Sequence, residues 1–236
     1  MGFLIYLSTG PYTYYSFMED FYHFVLLVSF ILSLFTRKRN KEEQYLKVFP
    51  YFLLLTLIVE LIGTYISQQK NNNNQKLYSL FAIVEFTFYV WMVREILIGK
   101  KARKLILWSI YLFPILQLLN IFYFQGKKGI PTITDSLSYL IIVACCIYYF
   151  YELLLLTHSV NLPKEPAFWI CTGLLFFYSF SFPFFGFSNF INQLPRKYLY
   201  YLGTILNYTN IFLYTLFGIA FTCRIKKPKL IDTKFS

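Results

Sequence analysis

The sequence predicts an all-α fold: a polytopic membrane protein with seven transmembrane helices in one domain over residues 1–236, N-terminus outside and C-terminus cytoplasmic. Three observations predict it. The 236 residues are 57% hydrophobic and only 14% charged, whereas a soluble domain carries roughly 25% charged residues. Apolar windows of about 20 residues, the length that crosses a bilayer core as a helix, recur along the chain between short charged segments. The basic residues alternate from one connection to the next, as the positive-inside rule requires of a multi-pass protein.

In order, the spans fall near 17–36, 47–67, 76–98, 104–124, 135–156, 166–187 and 199–223. The segment before the first span lacks a basic n-region and a small-residue cleavage site, so that span is expected to act as an uncleaved insertion signal. Its "MGFLIY" also lacks the hydroxyl residue that a myristoylation signal carries at position six. The sixth span contains Pro183 and Gly186 near its end, where a kink or early stop is expected. Sixteen of the 22 Lys and Arg lie in the first, third and fifth connections and the last segment, and six on the opposite side. No connection exceeds about fifteen residues, the low-complexity "QQKNNNNQK" included. Any activity is therefore expected within the bundle or through a partner.

The net charge of +11 does not point to nucleic acid. The basic residues flank hydrophobic spans and form no separate basic domain or interleaved aromatic-basic surface. Cys145, Cys146, Cys171 and Cys223 fall within or at the ends of spans and read as small buried hydrophobes. They show neither a disulfide framework nor zinc-site spacing. His23 and His158 lie in no ligand cluster, so no metal or cofactor is expected.

The residues that need explaining are polar groups inside spans. Glu85 has no basic residue for eight positions on either side. Helical rise places it roughly 15 Å below the outer surface, with Glu60 of span 2 and Asn207 and Asn210 of span 7 at comparable depth. Span 2 aligns Thr56, Glu60, Gly63, Thr64 and Ser67 on one face. Span 3 aligns Tyr78, Ala82, Glu85, Tyr89 and Met92, and span 7 aligns Gly203, Asn207, Asn210, Tyr214 and Gly218. Small and polar residues at this spacing mark faces turned to other helices. A carboxylate at such depth without a basic partner is expected to be protonated or cation-paired. Glu60, Glu85, Asn207, Asn210, Tyr89 and Tyr214 thus form a candidate intramembrane ligand or ion site. The plainer alternative is that the acids only fix helix packing through hydrogen bonds. Arg94 and Glu152 read as cytoplasmic-end charges, Glu152 snorkelling or pairing with Arg94. Asn120 lies in span 4.

Retinal chemistry would need a mid-span lysine in the last helix, which is absent. Serine-nucleophile, Asp-rich and phosphate-loop motifs are absent too, so the chain is not expected to be an enzyme. The runs "PAFWICTGLLFFYSF", "LNYTNIFLYTLFGIAFTC" and "LYSLFAIVEFTFYVW" resemble an uncharacterised family of small seven-helix integral membrane proteins common in Bacteroidota. That resemblance spans nearly the whole chain. It implies a seven-helix domain in a cytoplasmic (inner) membrane and transfers no activity or site residue. The leading expectation is a sensor or signalling component that acts on a cytoplasmic partner through its basic loops. A small proton- or cation-coupled transporter or channel using the buried acids is the alternative, and an oligomeric scaffold or pore-forming effector the third.

Overall fold

The computed structural model describes residues 12–39, 43–68, 74–124, 132–155, 162–187, 191 and 195–223. The expectations placed on "MGFLIY", on most of the asparagine run, on Lys127, Lys128 and His158, and on the basic segment from Arg224 lie outside the described residues. Among those described, the protein is all-helical. α1 spans Tyr12–Arg39, α2 Gln44–Gln68, α3 Gln75–Ile96, α4 Lys100–Leu119, α5 Thr132–Leu154, α6 Pro166–Gly186 and α7 Arg196–Thr222. α4 runs on into a wider π turn, Asn120–Phe124.

Helices α2 to α7 are each long and apolar enough to cross a bilayer, which makes this a multi-pass helical membrane protein. α1 differs from the sequence expectation. Its apolar part is shorter, Asp20–Phe35, because Glu19 and Asp20 interrupt the hydrophobic run. Sixteen residues rise about 24 Å, less than a hydrocarbon core of about 30 Å.

The helix ends obey local chemistry. Pro166 opens α6, where its missing N–H costs nothing, and Pro195 immediately precedes α7. α6 continues through Pro183 and ends at Gly186, with the Phe187 N–H bonded to the Pro183 carbonyl at 2.9 Å. Within the spans, several threonine hydroxyls are satisfied by their own helix. Thr56, Thr87 and Thr172 donate to carbonyls one turn back, at 2.9, 2.7 and 2.7 Å.

Consecutive helices pack side by side, and α7 returns to α1, closing a ring. α3 also touches α5 and so lies deepest in the bundle. α4 is the most peripheral helix and leaves Leu105, Trp108, Tyr111 and Ile115 exposed, a surface suited to lipid. The tightest approaches use small residues. A Cβ at Gly173 of α6 would come within 3.0 Å of Leu213 on α7. The Ser29 hydroxyl of α1 donates to the Tyr214 carbonyl of α7 at 2.5 Å.

The half of the bundle toward the α2 N-terminus is filled by aromatic rings. Phe49 meets Phe88, Phe217 and Phe221 edge-on at 5.0–5.1 Å, and Phe52 stacks on Phe88 at 4.0 Å. Edge-on and offset pairs of this kind gain energy beyond their buried area. Together they make a dense floor beneath the polar residues of α2, α3 and α7.

Candidate functional site

Above that floor the buried acids meet tyrosines. Glu60 is buried on α2, and its Oε2 accepts a hydrogen bond from the Tyr78 hydroxyl of α3 at 3.2 Å. Gly63, one turn along α2, makes this contact possible, because a Cβ there would stand 2.0 Å from the Tyr78 hydroxyl. Tyr22 of α1 lies within electrostatic reach of Glu60, shares a side-chain hydrogen bond with Tyr214 of α7 and contacts its ring at 5.7 Å. Tyr214 sits between the two carboxylates singled out from the sequence, interacting with both Glu60 and Glu85.

Glu85 is set among tyrosines from three helices: Tyr89 on its own helix, Tyr178 of α6, and Tyr214 of α7. It keeps intermediate exposure although its neighbours Tyr89, Tyr178 and Tyr214 are fully buried. The Tyr178 hydroxyl approaches Glu85 and the Tyr89 hydroxyl approaches Tyr214. Neither closes a hydrogen bond of good geometry. A buried hydroxyl left wholly without a partner costs on the order of 1–3 kcal/mol, and these two stand between that limit and a full hydrogen bond.

The layer extends further than the sequence reading placed it. Asp135, in the first turn of α5, is buried and accepts a hydrogen bond from Gln117 Nε2 of α4 at 2.9 Å. Asp135 and Glu85 interact with each other and with Tyr139. The rings of Tyr139 and Tyr89 both contact Tyr178, at 5.0 and 6.0 Å. Polar groups therefore run across the bundle from Gln117 and Asp135, through Glu85 and the central tyrosines, to Tyr22, Glu60 and Tyr78. All seven helices contribute.

The other residues named from sequence fall as follows. Asn210 is buried with its side-chain oxygen unpartnered, and Asn207 is half-buried one turn away. Asn120 donates to the Thr134 hydroxyl at 2.8 Å, tying the end of α4 to α5. The hydroxyls that reach Glu60 and Glu85 come from tyrosines, Tyr78 and Tyr178. Glu152 does not pair with Arg94. Its two oxygens accept the backbone N–H groups of Ile98 and Gly99 at 2.8 and 2.9 Å, holding the α3–α4 turn. Arg94 instead pairs with Glu95 at 2.7 Å, and Arg103 approaches the same carboxylate at 3.7 Å.

Among the described residues no three His, Cys, Asp or Glu side chains are placed to hold a metal together. The polar layer offers carboxylates, tyrosine hydroxyls and the side-chain amides of Gln117 and Asn210, with His23 against the Tyr22 ring. No Lys or Arg falls in the deep part of any span. Two or more carboxylates without a neighbouring Lys or Arg suit such a layer to positive charge, whether a proton, a cation or an amine.

No protein-family model, curated protein or solved structure matches the chain.

Proposed function

We propose that the protein is a non-enzymatic sensor or signalling component of the cytoplasmic membrane, seven-helical, with its N-terminus outside. Its ligand site is the carboxylate–tyrosine layer, and its output is read by a cytoplasmic partner at the basic connections. The resemblance to the Bacteroidota family supports this membrane and architecture and adds no ligand.

The observation that carries the reading is the juxtaposition of the acid layer with the aromatic floor. The Phe49, Phe52, Phe88, Phe217 and Phe221 rings pack together, with Glu60 further along α2 and Glu85 nearer the start of α3, a side that the proposed orientation makes the outer one. A pore or carrier needs a polar route continuing to the other face. Here the route meets close-packed rings on α2, α3 and α7. Those helices also carry Glu60, Glu85 and Tyr214, so a change in occupancy of the layer bears directly on how the rings pack. At the far end of α3 and the start of α4 lie Arg94, Lys100, Lys101, Arg103 and Lys104, a basic group fit for an acidic protein surface.

The test is flux and partner binding measured on the same protein. Liposomes containing the wild type, Glu60→Gln and Glu85→Gln are exposed to proton, sodium and potassium gradients. The expected result is no flux above empty liposomes in any of the three. The partner is sought by affinity capture from native membranes, and Arg103→Glu/Lys104→Glu should abolish its recovery. Flux that disappears in either Gln variant would overturn the sensor reading and make the acids carriers. The set of three acids in one polar layer, Glu60 and Asp135 buried and Glu85 half-buried, is the observation that favours this second reading.

A further inference from the structure

The half of the polar layer between α3, α4, α5 and α6 is built differently from the half around Glu60. Two carboxylates enter it, each followed one turn later on the same helix face by a tyrosine: Glu85 with Tyr89 on α3, and Asp135 with Tyr139 on α5. α3 and α5 run in the same direction through the bundle, so both acids lie on the same side of their tyrosines. The two tyrosines meet on Tyr178 of α6, which closes the space from below. Three polar atoms here are fully buried without a hydrogen bond of good geometry: the hydroxyl of Tyr178, which faces Glu85, the hydroxyl of Tyr89, which faces Tyr214, and Oε1 of Gln117. The Gln117 amide spends its donor on Asp135 Oδ1 and leaves its acceptor oxygen idle. Ser181, one turn from Tyr178 on α6, adds a fourth such atom, a third buried hydroxyl.

Asp135 has a plainer explanation, since an acid in the first turn of a helix is stabilised by the helix dipole. That accounts for its position on α5. It does not account for its burial, for the neighbouring Glu85, or for orphaned oxygen atoms from two further helices. Carboxylate, amide carbonyl and hydroxyl oxygens are the donors that hard cations take.

We propose that Glu85, Asp135, Gln117 and Tyr178 form a binding site for a single small inorganic cation, an alkali or alkaline-earth ion held by oxygen atoms alone. The contacts among the three tyrosine rings suit an ion and leave an organic amine poorly accommodated. The ion neutralises the two acids and gives Gln117 Oε1 a partner, with the Tyr178 hydroxyl, already beside Glu85, completing the set. Access is from the outer side, since Asp135 is only three residues into α5. This deepens the sensor reading by naming the ligand class and the half of the layer that holds it.

The experiment is a binding and melting series on the purified full chain in nanodiscs, with sodium, potassium, magnesium and calcium chloride each titrated against a choline chloride background. The expected result is one equivalent of bound ion and a higher melting temperature with one of the four. Asp135→Asn and Glu85→Gln should each weaken its binding about tenfold or more, while Glu95→Gln, outside the layer at the far end of α3, should stay within about threefold. Melting in choline alone shows whether each variant folds, and Gln117→Glu, which keeps the fold's shape, should tighten the ion. If none of the four ions binds, or if Asp135→Asn binds as the wild type does, the proposal is overturned. The sensor reading fails separately, through flux in liposomes or loss of the cytoplasmic partner, so the two outcomes are distinguishable.

Discussion

Alanine at Gly63 should damage a contact that its better helix propensity would otherwise hide. The new Cβ would lie 2.0 Å from the Tyr78 hydroxyl, 2.6 Å from Cζ and 3.0 Å from Cε2. Carbon atoms at optimal separation sit about 3.5–4.0 Å apart, so the ring must retreat by more than about 1 Å. The 3.2 Å bond from Tyr78 to Glu60 Oε2 cannot survive that shift. Replacing Gly by Ala within a helix gains about 0.5–1 kcal/mol. Against this stand a side-chain hydrogen bond between membrane helices, about 0.6 and at most about 1.7 kcal/mol, and overpacking, about 1–3 kcal/mol. The net expectation is destabilisation by about 1–3 kcal/mol. Tyr78→Phe alone should cost about 1 kcal/mol, since it loses only the bond. Tyr78→Leu removes the ring end, and in that background Gly63→Ala should become neutral or stabilising. The assay is a double-mutant cycle on unfolding in mixed micelles. Additive effects, with Gly63→Ala stabilising in both backgrounds, would refute the packing of Tyr78 over Gly63.

Three further predictions follow from other contacts. Glu152→Ala strips the acceptor from the Ile98 and Gly99 N–H groups and should cost about 1–3 kcal/mol, whereas Arg94→Ala breaks a partly exposed pair and should cost less than about 1 kcal/mol; equal effects in the same unfolding assay would contradict the clasp. Gly173→Val drives a side chain into Leu213 and should destabilise by about 1–3 kcal/mol, while Gly186→Ala, whose Cβ meets nothing nearer than 3.7 Å, should shift the melting temperature little. Glu165, just before α6, has its carboxyl held above the ordinary value of 4.5 by half-burial and by the neighbouring Glu43. The folded state therefore holds this proton more tightly than the unfolded chain, and stability falls as pH rises from about 4.5 through the raised value. Glu165→Gln should flatten that slope in melts taken from pH 4.5 to 7; an unchanged slope would remove Glu165 as its source.

The bundle was legible because its signals are long. A run such as Phe168–Phe182 leaves no alternative to a buried or lipid-facing helix, and six of the expected spans agree with α2 to α7 within a few residues. Glu60 and Glu85 stood out for the same reason, as single acids in unbroken apolar runs. Asp135 was missed because it stands at the margin of its span, beside Thr134 and Ser136, where an acid reads as the start of a helix. The signal that could have found it is its spacing: Asp135 precedes Tyr139 by four residues, as Glu85 precedes Tyr89. Tyr22, Tyr139 and Tyr178 were hidden among 22 tyrosines, since their convergence depends on which helices are neighbours. Glu152 was paired with Arg94 in the sequence reading because opposite charges at one end of a bundle attract. Backbone N–H groups at an uncapped turn compete for the same carboxylate, and no sequence spacing reports them.

The ring of helices is not equally tight around its circumference. α4 and α5 share the fewest contacts of any adjacent pair, and polar clips at their outer ends, Gln117 to Asp135 and Asn120 to Thr134, fasten them. Elsewhere the wall is joined by side-chain volume, which lipid tails cannot replace one for one. Along α4 and α5 it is joined largely by amides and hydroxyls, whose strength depends on keeping water and headgroups away. Bilayer thickness and headgroup composition therefore bear on this joint more than on any other. In a thinner membrane the clips come within reach of the hydrated interface and slacken, and exchange of backbone hydrogens should begin in the outer turns of α4 while α3, α6 and α7 stay protected.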